Sequence, residues 1–174
     1  MRTKLLFIAA TLLAAALPTF AKSARTIHPQ LVGVDAVVLN FSPDNLPGVD
    51  ANALERAIRS ALEKGGVRVQ ETAPTTLFVR VTYQQLPACP EFVAFRTYLA
   101  LSEDVVVHRG TRSETVYVDT WHENEEFVES TSRAAKVAQE SVLGLIGYFL
   151  DSAQHTRKVM QKSSAKLSDP TPYR

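Results

Sequence analysis

Two long stretches of alternating apolar and polar residues flank a short polar turn at Gly110. The first covers residues 93–107 and the second covers residues 115–122. A period of two is typical of β-strands, and two such strands around a short turn predict an antiparallel hairpin. With the turn at Gly110, the residue numbers of two cross-strand partners add up to about 221. This register places Trp121 opposite Ala100.

Two further segments have apolar residues spaced by three and four positions, the pattern of amphipathic helices. The first covers residues 50–64, begins at a capping aspartate and ends before a pair of glycines. The second begins in the cluster Ser130–Ser132 and runs to about Gln154. Each helix has one apolar face that must be covered by another element.

Strands are also predicted over residues 31–41, 67–70 and 77–83. The order is therefore strand, helix, three or four strands, and helix. Both helices need one sheet face on which to bury their apolar residues. This order predicts an α+β two-layer sandwich, in which a mixed, mostly antiparallel sheet of four to five strands carries two helices on one face.

Residues 1–21 have the pattern of a secretory signal peptide. Two basic residues precede an apolar run of 13 residues, which is too short to span a bilayer. Small residues then lead to Ala21, where we predict cleavage. The chain is therefore expected in the periplasm or the medium, with an uncleaved membrane anchor as the alternative; no cysteine follows the run to carry a lipid anchor.

Residues 22–30 have no apolar period and are predicted to be a flexible lead-in to a single domain over residues 31–154. Residues 155–174 carry five basic residues against one acid, a net charge of +4. We predict that they form a basic, disordered tail. Such a tail is attracted to an anionic membrane surface.

The composition bears on nucleic-acid binding and on disulfide bonds. Lys and Arg number 19 against 18 Asp and Glu, and this balance, together with export, argues against nucleic acid as a partner. The chain has one cysteine, Cys89, so an intramolecular disulfide is impossible. In an oxidising compartment the thiol is expected to be buried or paired with another chain.

The predicted hairpin contains a possible binding face. If its even-numbered residues in 115–122 lie under the helices, Tyr117 and Trp121 lie on the opposite face, with Tyr98 and Arg96 as neighbours. The functional interpretation is a binding platform on the open side of the sheet. The alternative is plain aromatic packing between strands.

The second helix contains a possible interface. Residues 141–150 are apolar around most of the helix circumference, and Leu143, Ile146 and Leu150 repeat on a second face. One sheet cannot cover that whole circumference. Either the first helix or another chain is expected to cover the second face.

The densest polar segment is His122–Glu126, with Asp119 and Glu129 on either side. Carboxylate oxygens are ligands for divalent cations, but a solvated loop before a helix is the alternative. His108 is excluded from a zinc site with His122, because the predicted register separates them by roughly 30 Å. We assign no catalytic, cofactor-binding or metal-ligating residue, and we expect no cofactor.

Several segments together carry a resemblance to known proteins. They are Leu54–Arg59 followed by Gly65–Val69, the strand Leu77–Val81, the hairpin ending in Asp119–Trp121, and the helix around Tyr148–Leu150. The plan resembles small exported bacterial proteins of unknown function, and its layout is similar to the amino-terminal domain of TolB and to LptE-like assembly proteins. No catalytic residue follows from this resemblance.

These features favour an exported, non-enzymatic protein that binds or helps to assemble other components of the bacterial envelope. Its partner is expected to be another envelope protein or a second copy of the chain. The alternative is a secreted hydrolase or metal-binding protein that uses the acidic region around His122.

Overall fold

The computed structural model describes residues 26–43 and 47–167. The predicted signal peptide, residues 1–21, lies outside the described residues. The elements are a 3-10 turn (Pro29–Leu31), β1 (Ala36–Pro43), α1 (Ala51–Lys64), β2 (Arg68–Val69), β3 (Thr75–Gln85), β4 (Phe92–Arg109), β5 (Arg112–Ser130) and α2 (Thr131–Leu167).

The five strands form one mixed sheet in the order β2-β1-β3-β4-β5. β1 is parallel to both β2 and β3, whereas β3, β4 and β5 are antiparallel to one another. The predicted α+β sandwich is confirmed, since α1 and α2 pack on one face of this sheet. The core between the two layers is built from apolar residues of every long element, including Val37, Leu54, Ile58, Leu77, Leu99, Leu101, Val142, Leu145 and Phe149.

Helix α1 is capped and packed as its sequence predicts. The Asp50 carboxylate accepts a hydrogen bond from the backbone N–H of Ala53 at 2.9 Å, which satisfies one of the free donors at the helix start. At the other end, Gly65 lies directly against α2. A Cβ at this position would lie 2.5 Å from Cδ2 of Leu150, so a larger residue there would displace the Leu150 side chain.

The folded domain extends beyond its predicted bounds, residues 31–154, at both ends. Helix α2 does not end near Gln154 but continues to Leu167, so the described part of the predicted disordered tail is helical. Small polar residues explain the continuation: Ser152 and Thr156 are fully buried, and the Thr156 hydroxyl accepts a hydrogen bond from the backbone N–H of His28 at 3.1 Å. This bond also joins the end of the lead-in to the fold.

The β4–β5 hairpin turns at Gly110, as predicted. Paired positions sum to 221 from the turn to the pair Ser102–Asp119, but to 222 from the pair Leu101–Trp121 onward. Thr120 is thus the extra residue of a β-bulge. Beyond the bulge β5 continues to Ser130, so the predicted loop after His122 is a strand.

Candidate functional site

The face of the sheet opposite the helices contains a groove of about 490 Å³. Its floor is formed by the three antiparallel strands. A second hollow of about 420 Å³ continues it along the sheet and shares Thr82 and Arg96 with it. We call the first hollow the open-face groove; it is lined by Phe78, Arg80, Thr82, Arg96, Tyr98, Tyr117 and Asp119.

Strand register brings the two arginines of the open-face groove together. Arg80 of β3 lies opposite Tyr98 of β4, and Thr82 lies opposite Arg96. Arg80 and Arg96 are therefore diagonal neighbours on one face, with Cβ atoms roughly 7 Å apart. Both arginines line the same hollow.

The two arginines differ in their acidic partners. Nε of Arg96 lies 3.6 Å from Oε1 of Glu126, and both side chains of this pair are largely exposed. The Arg96 guanidinium also lies over the Tyr98 ring, with Cζ 5.7 Å from the ring centroid, in the range of a cation–π contact. In the described part of the chain, no carboxylate lies within ion-pair distance of Arg80.

Asp119 holds the phenol of Tyr98 in place. Tyr98 Oη donates to Asp119 Oδ2 at 2.8 Å, and the Ser102 hydroxyl donates to the other carboxylate oxygen. These two hydrogen bonds keep the pKa of Asp119 below its ordinary value, and the bond from Ser102 has the larger effect. Partial burial and then the bond to Asp119 raise the pKa of Tyr98. At neutral pH the groove therefore contains a phenol bound to a carboxylate.

Aromatic rings line the groove and its margin. Tyr117 is 53% exposed, and its ring meets the edge of Phe78 with centroids 6.4 Å apart. The ring of His122 lies nearly parallel to that of Tyr98 with centroids 6.0 Å apart. The groove thus offers flat apolar surface beside two positive charges.

The prediction that Trp121 belongs to the open face is wrong. Trp121 is only 4% exposed and lies under α2, with its ring centroid 5.4 Å from that of Phe149. The bulge at Thr120 is the reason, because one extra residue reverses the face on which every later side chain of the strand lies. Trp121 is therefore part of the core.

The other three predicted members of the binding face are found together. Tyr117, Tyr98 and Arg96 all line the open-face groove. Arg80 and Phe78 also line the groove and were not predicted, although both lie at even positions of a strand whose odd positions are mostly apolar. That alternation was the signal that places them on the uncovered face.

The predicted second face of α2 is covered unequally. Ile146 is fully buried, whereas Leu143 is 39% exposed. Leu150 lies against Gly65 at the end of α1. Ile146 is therefore part of the core and Leu150 packs against the end of α1, whereas Leu143 remains at the surface.

Among the described residues, the acidic region around His122 is neither a solvated loop nor a cluster of cation ligands. Because this region is a strand, its side chains alternate: Glu123 and Glu125 lie towards the helices, while His122 and Glu126 lie on the open face. Glu125 is engaged by α2, since it accepts a hydrogen bond from Ser141 Oγ at 2.7 Å. Within residues 26–43 and 47–167, no group of three or more His, Cys, Asp or Glu side chains is arranged to hold a metal.

Cys89 lies exposed in the loop between β3 and β4. The expectation that its thiol is buried is therefore wrong, and pairing with another chain stays a prediction. As for membrane spans, neither α1 nor the described length of α2 has an apolar stretch long enough to cross a bilayer.

Comparison with known proteins finds similarity only at the level of structure. No protein family and no curated protein matches the sequence. A PelC dodecamer from Paraburkholderia phytofirmans is 12% identical, with a TM-score of 0.40 over 68% of this chain and 87% of that one. A minor lipoprotein from Acinetobacter baumannii is 13% identical, with a TM-score of 0.26 over 78% of this chain and 95% of that one. Neither is a TolB or LptE protein.

Proposed function

We propose that this chain is an exported, non-enzymatic accessory protein of the bacterial envelope that binds a partner through the open face of its sheet. The observation that carries the proposal is the one-sided packing of the fold. Both helices cover one face, while in the part of the chain that the structure describes the opposite face exposes a groove with arginine and tyrosine side chains. An uncovered face with such residues is typical of a recognition surface.

The chemistry of the groove supports binding rather than proton transfer. Asp119 is the one carboxylate among its lining residues, and each of its oxygens already accepts a hydrogen bond from the chain's own hydroxyl groups. A carboxylate held in this way, with a lowered pKa, is a poor general base. It is well suited to holding the Tyr98 ring in one orientation.

Export is supported by the amino-terminal pattern. Two basic residues, a 13-residue apolar run and the small residues before Ala21 have the order of a cleavable leader. Expression of the full chain in a Gram-negative host should give a periplasmic or secreted protein whose intact mass begins at Lys22 or a few residues later. A chain that keeps residues 1–21 contradicts the proposal.

The exposed end of α2 supports a location beside an anionic surface. Lys158 and Lys162 project from a helical segment, residues 155–164, that contains no acidic residue. Each basic residue near an anionic bilayer contributes about 1 kcal/mol at low salt. Reversing both charges should reduce sedimentation with anionic vesicles and leave the melting temperature unchanged.

The binding face is tested by photo-crosslinking in cells. A photo-reactive amino acid replaces Tyr117 on the open face in one chain, and Glu63 on the exposed side of α1 in the control chain. The proposal predicts a defined adduct from position 117 and none from position 63. An adduct from position 63 alone places the binding surface on the helices and refutes the proposal.

A further inference from the structure

We propose that the open-face groove binds a carboxylated saccharide, with its carboxylate between Arg80 and Arg96 and a sugar ring against Tyr98 and Tyr117. This inference rests on the proposed function and names the ligand class for the same face. It comes from four properties of the groove: an available pair of cations, flat aromatic surface, a fixed acceptor, and a position on the face of the sheet rather than along its free outer edge at β5.

The cation pair selects an anion. Arg80 has no ion-pair partner in the described part of the chain, and its diagonal neighbour Arg96 has only the long, exposed contact to Glu126. Two like charges on neighbouring positions of one sheet face repel each other. One carboxylate between them relieves that repulsion and accepts the fork-shaped hydrogen bonds that arginine donates.

The aromatic surface selects a ring with an apolar face. Tyr117 exposes about half of its surface, and Tyr98 is held in one orientation by Asp119. A pyranose has C–H groups on one face and hydroxyls around its rim. Its apolar face fits a tyrosine ring that loses little conformational freedom on binding.

The Asp119 carboxylate can accept hydrogen bonds from the hydroxyl groups of such a ligand. Each Asp119 oxygen accepts one hydrogen bond from the chain, which leaves acceptor capacity for a further donor. Thr82 lines the same groove and offers a hydroxyl. The site can therefore hold a ligand that has a carboxylate, hydroxyl groups and a ring. Inorganic phosphate has no ring and would use only part of the site.

An acidic peptide fits this place less well than a saccharide. The groove lies on the face of β3, β4 and β5, and the backbone N–H and C=O groups between these strands pair with one another. The unpaired outer edge of the described sheet at β5 lies to the side of this face, so a peptide that fills the groove does not extend the sheet. An extended peptide would lose water from its own N–H and C=O groups without finding main-chain partners. A saccharide makes the contacts it needs with side chains alone.

Calorimetric titration of the purified protein with an oligogalacturonate tests the inference. We expect saturable binding that weakens as salt is added, and that falls about tenfold in Arg80→Ala and in Arg96→Ala. Arg59→Ala removes an exposed arginine that pairs with Glu55 on α1 and should leave the affinity unchanged. Glu126→Gln should raise the affinity, because it frees Arg96.

Matched ligands identify which part of the saccharide is recognised. The methyl ester of the same oligogalacturonate keeps the rings and removes the charges, so it should not bind. Polyglutamate and inorganic phosphate keep negative charge without the ring, and they should bind at least tenfold more weakly. Binding of polyglutamate or phosphate as tight as that of oligogalacturonate overturns the saccharide assignment.

The inference and the proposed function fail separately. If oligogalacturonate does not bind, or binds equally to the Arg80→Ala and Arg96→Ala variants, the ligand class is wrong. The proposed function still stands if the crosslink from position 117 forms in cells. If that crosslink is absent as well, both are refuted.

Discussion

The phenol of Tyr98 and the carboxylate of Asp119 are joined across β4 and β5 by a hydrogen bond of 2.8 Å. The strand partner of Asp119 is Ser102, four residues beyond Tyr98 on the same face, a distance of about 13 Å along the strand. Tyr98 therefore leans along β4, and Ala100 between the two positions has no exposed surface. The pair fixes the aromatic side of the groove.

Stability at acid pH should depend on Asp119. Its pKa is lowered in the folded protein, so its contribution is present above the ordinary value of 3.8 and is lost as pH falls through the lower folded value. Asp119→Asn should cost about 1 kcal/mol at neutral pH, because the pair is largely exposed. In urea titrations the gap between wild type and variant should close as pH falls below 3.8. A gap that stays constant contradicts this account.

The contribution of Tyr98 to stability should be lost at alkaline pH rather than at acid pH. Its pKa is raised in the folded protein, so its contribution is full below the ordinary value of 10.0 and is lost as pH rises through the folded value. Spectroscopic titration of tyrosinate should show one late-ionising group, and Tyr98→Phe should remove it. Loss of an early-ionising group in that variant would show that the phenol is not bound to Asp119.

Replacement of Trp121 should damage the core rather than a surface. Trp121→Ala should reduce the free energy of unfolding by about 3–5 kcal/mol, because the ring lies against Phe149 under α2. Trp121→Phe keeps much of the ring and should cost less. As the chain has one tryptophan, its fluorescence in the wild type should be blue-shifted and resistant to quenching by acrylamide. Emission typical of an exposed indole would contradict the burial described here.

The contact between the helices predicts a pair of opposite effects. Gly65→Ala introduces a methyl group 2.5 Å from Leu150 Cδ2 and should destabilise the fold by about 1–3 kcal/mol. Gly144→Ala adds the same group in α2 where no atom of the described residues lies within 4 Å, and should stabilise it by up to about 1 kcal/mol. The penalty at Gly65 should shrink in a Leu150→Ala background, as measured by a double-mutant cycle in urea. Equal penalties in both backgrounds would exclude this contact.

The last buried turns of α2 can be tested with two similar substitutions. Thr156→Val removes the hydroxyl that accepts the His28 N–H and should cost about 1 kcal/mol. Ser152→Ala removes a buried hydroxyl for which the described residues supply no hydrogen-bond partner, and should be neutral or stabilising. Thermal unfolding separates the two. Equal effects would show that the segment after residue 154 is not packed on the fold.

The part of the β4–β5 hairpin near the turn could be predicted from the sequence, whereas the part beyond the bulge could not. From the turn to Ser102 the register is as predicted, because turn length fixes the pairing. The bulge at Thr120 has no pattern in the sequence that reveals it, since no glycine or proline marks it. It therefore displaced Trp121 from the predicted site, while Tyr117, on the turn side of the bulge, was placed on the correct face.

The carboxyl-terminal end of α2 shows a second limit. Hydropathy treats Ser152 and Thr156 as surface residues, yet both are fully buried. Small polar side chains fit under the closely packed lead-in, where His28 meets the Trp121 ring with centroids 6.3 Å apart. That fit depends on the tertiary structure, so an apolar period in the sequence alone could not predict it.

The most direct test of the account is the crosslink from position 117 in a chain that also carries Arg80→Glu and Arg96→Glu. The open face is predicted to lose its partner, so the adduct should disappear. The amount of mature protein and the fluorescence of the buried Trp121 should be unchanged, which separates loss of binding from loss of folding. An adduct that persists in this double variant would show that the two arginines do not form the binding surface.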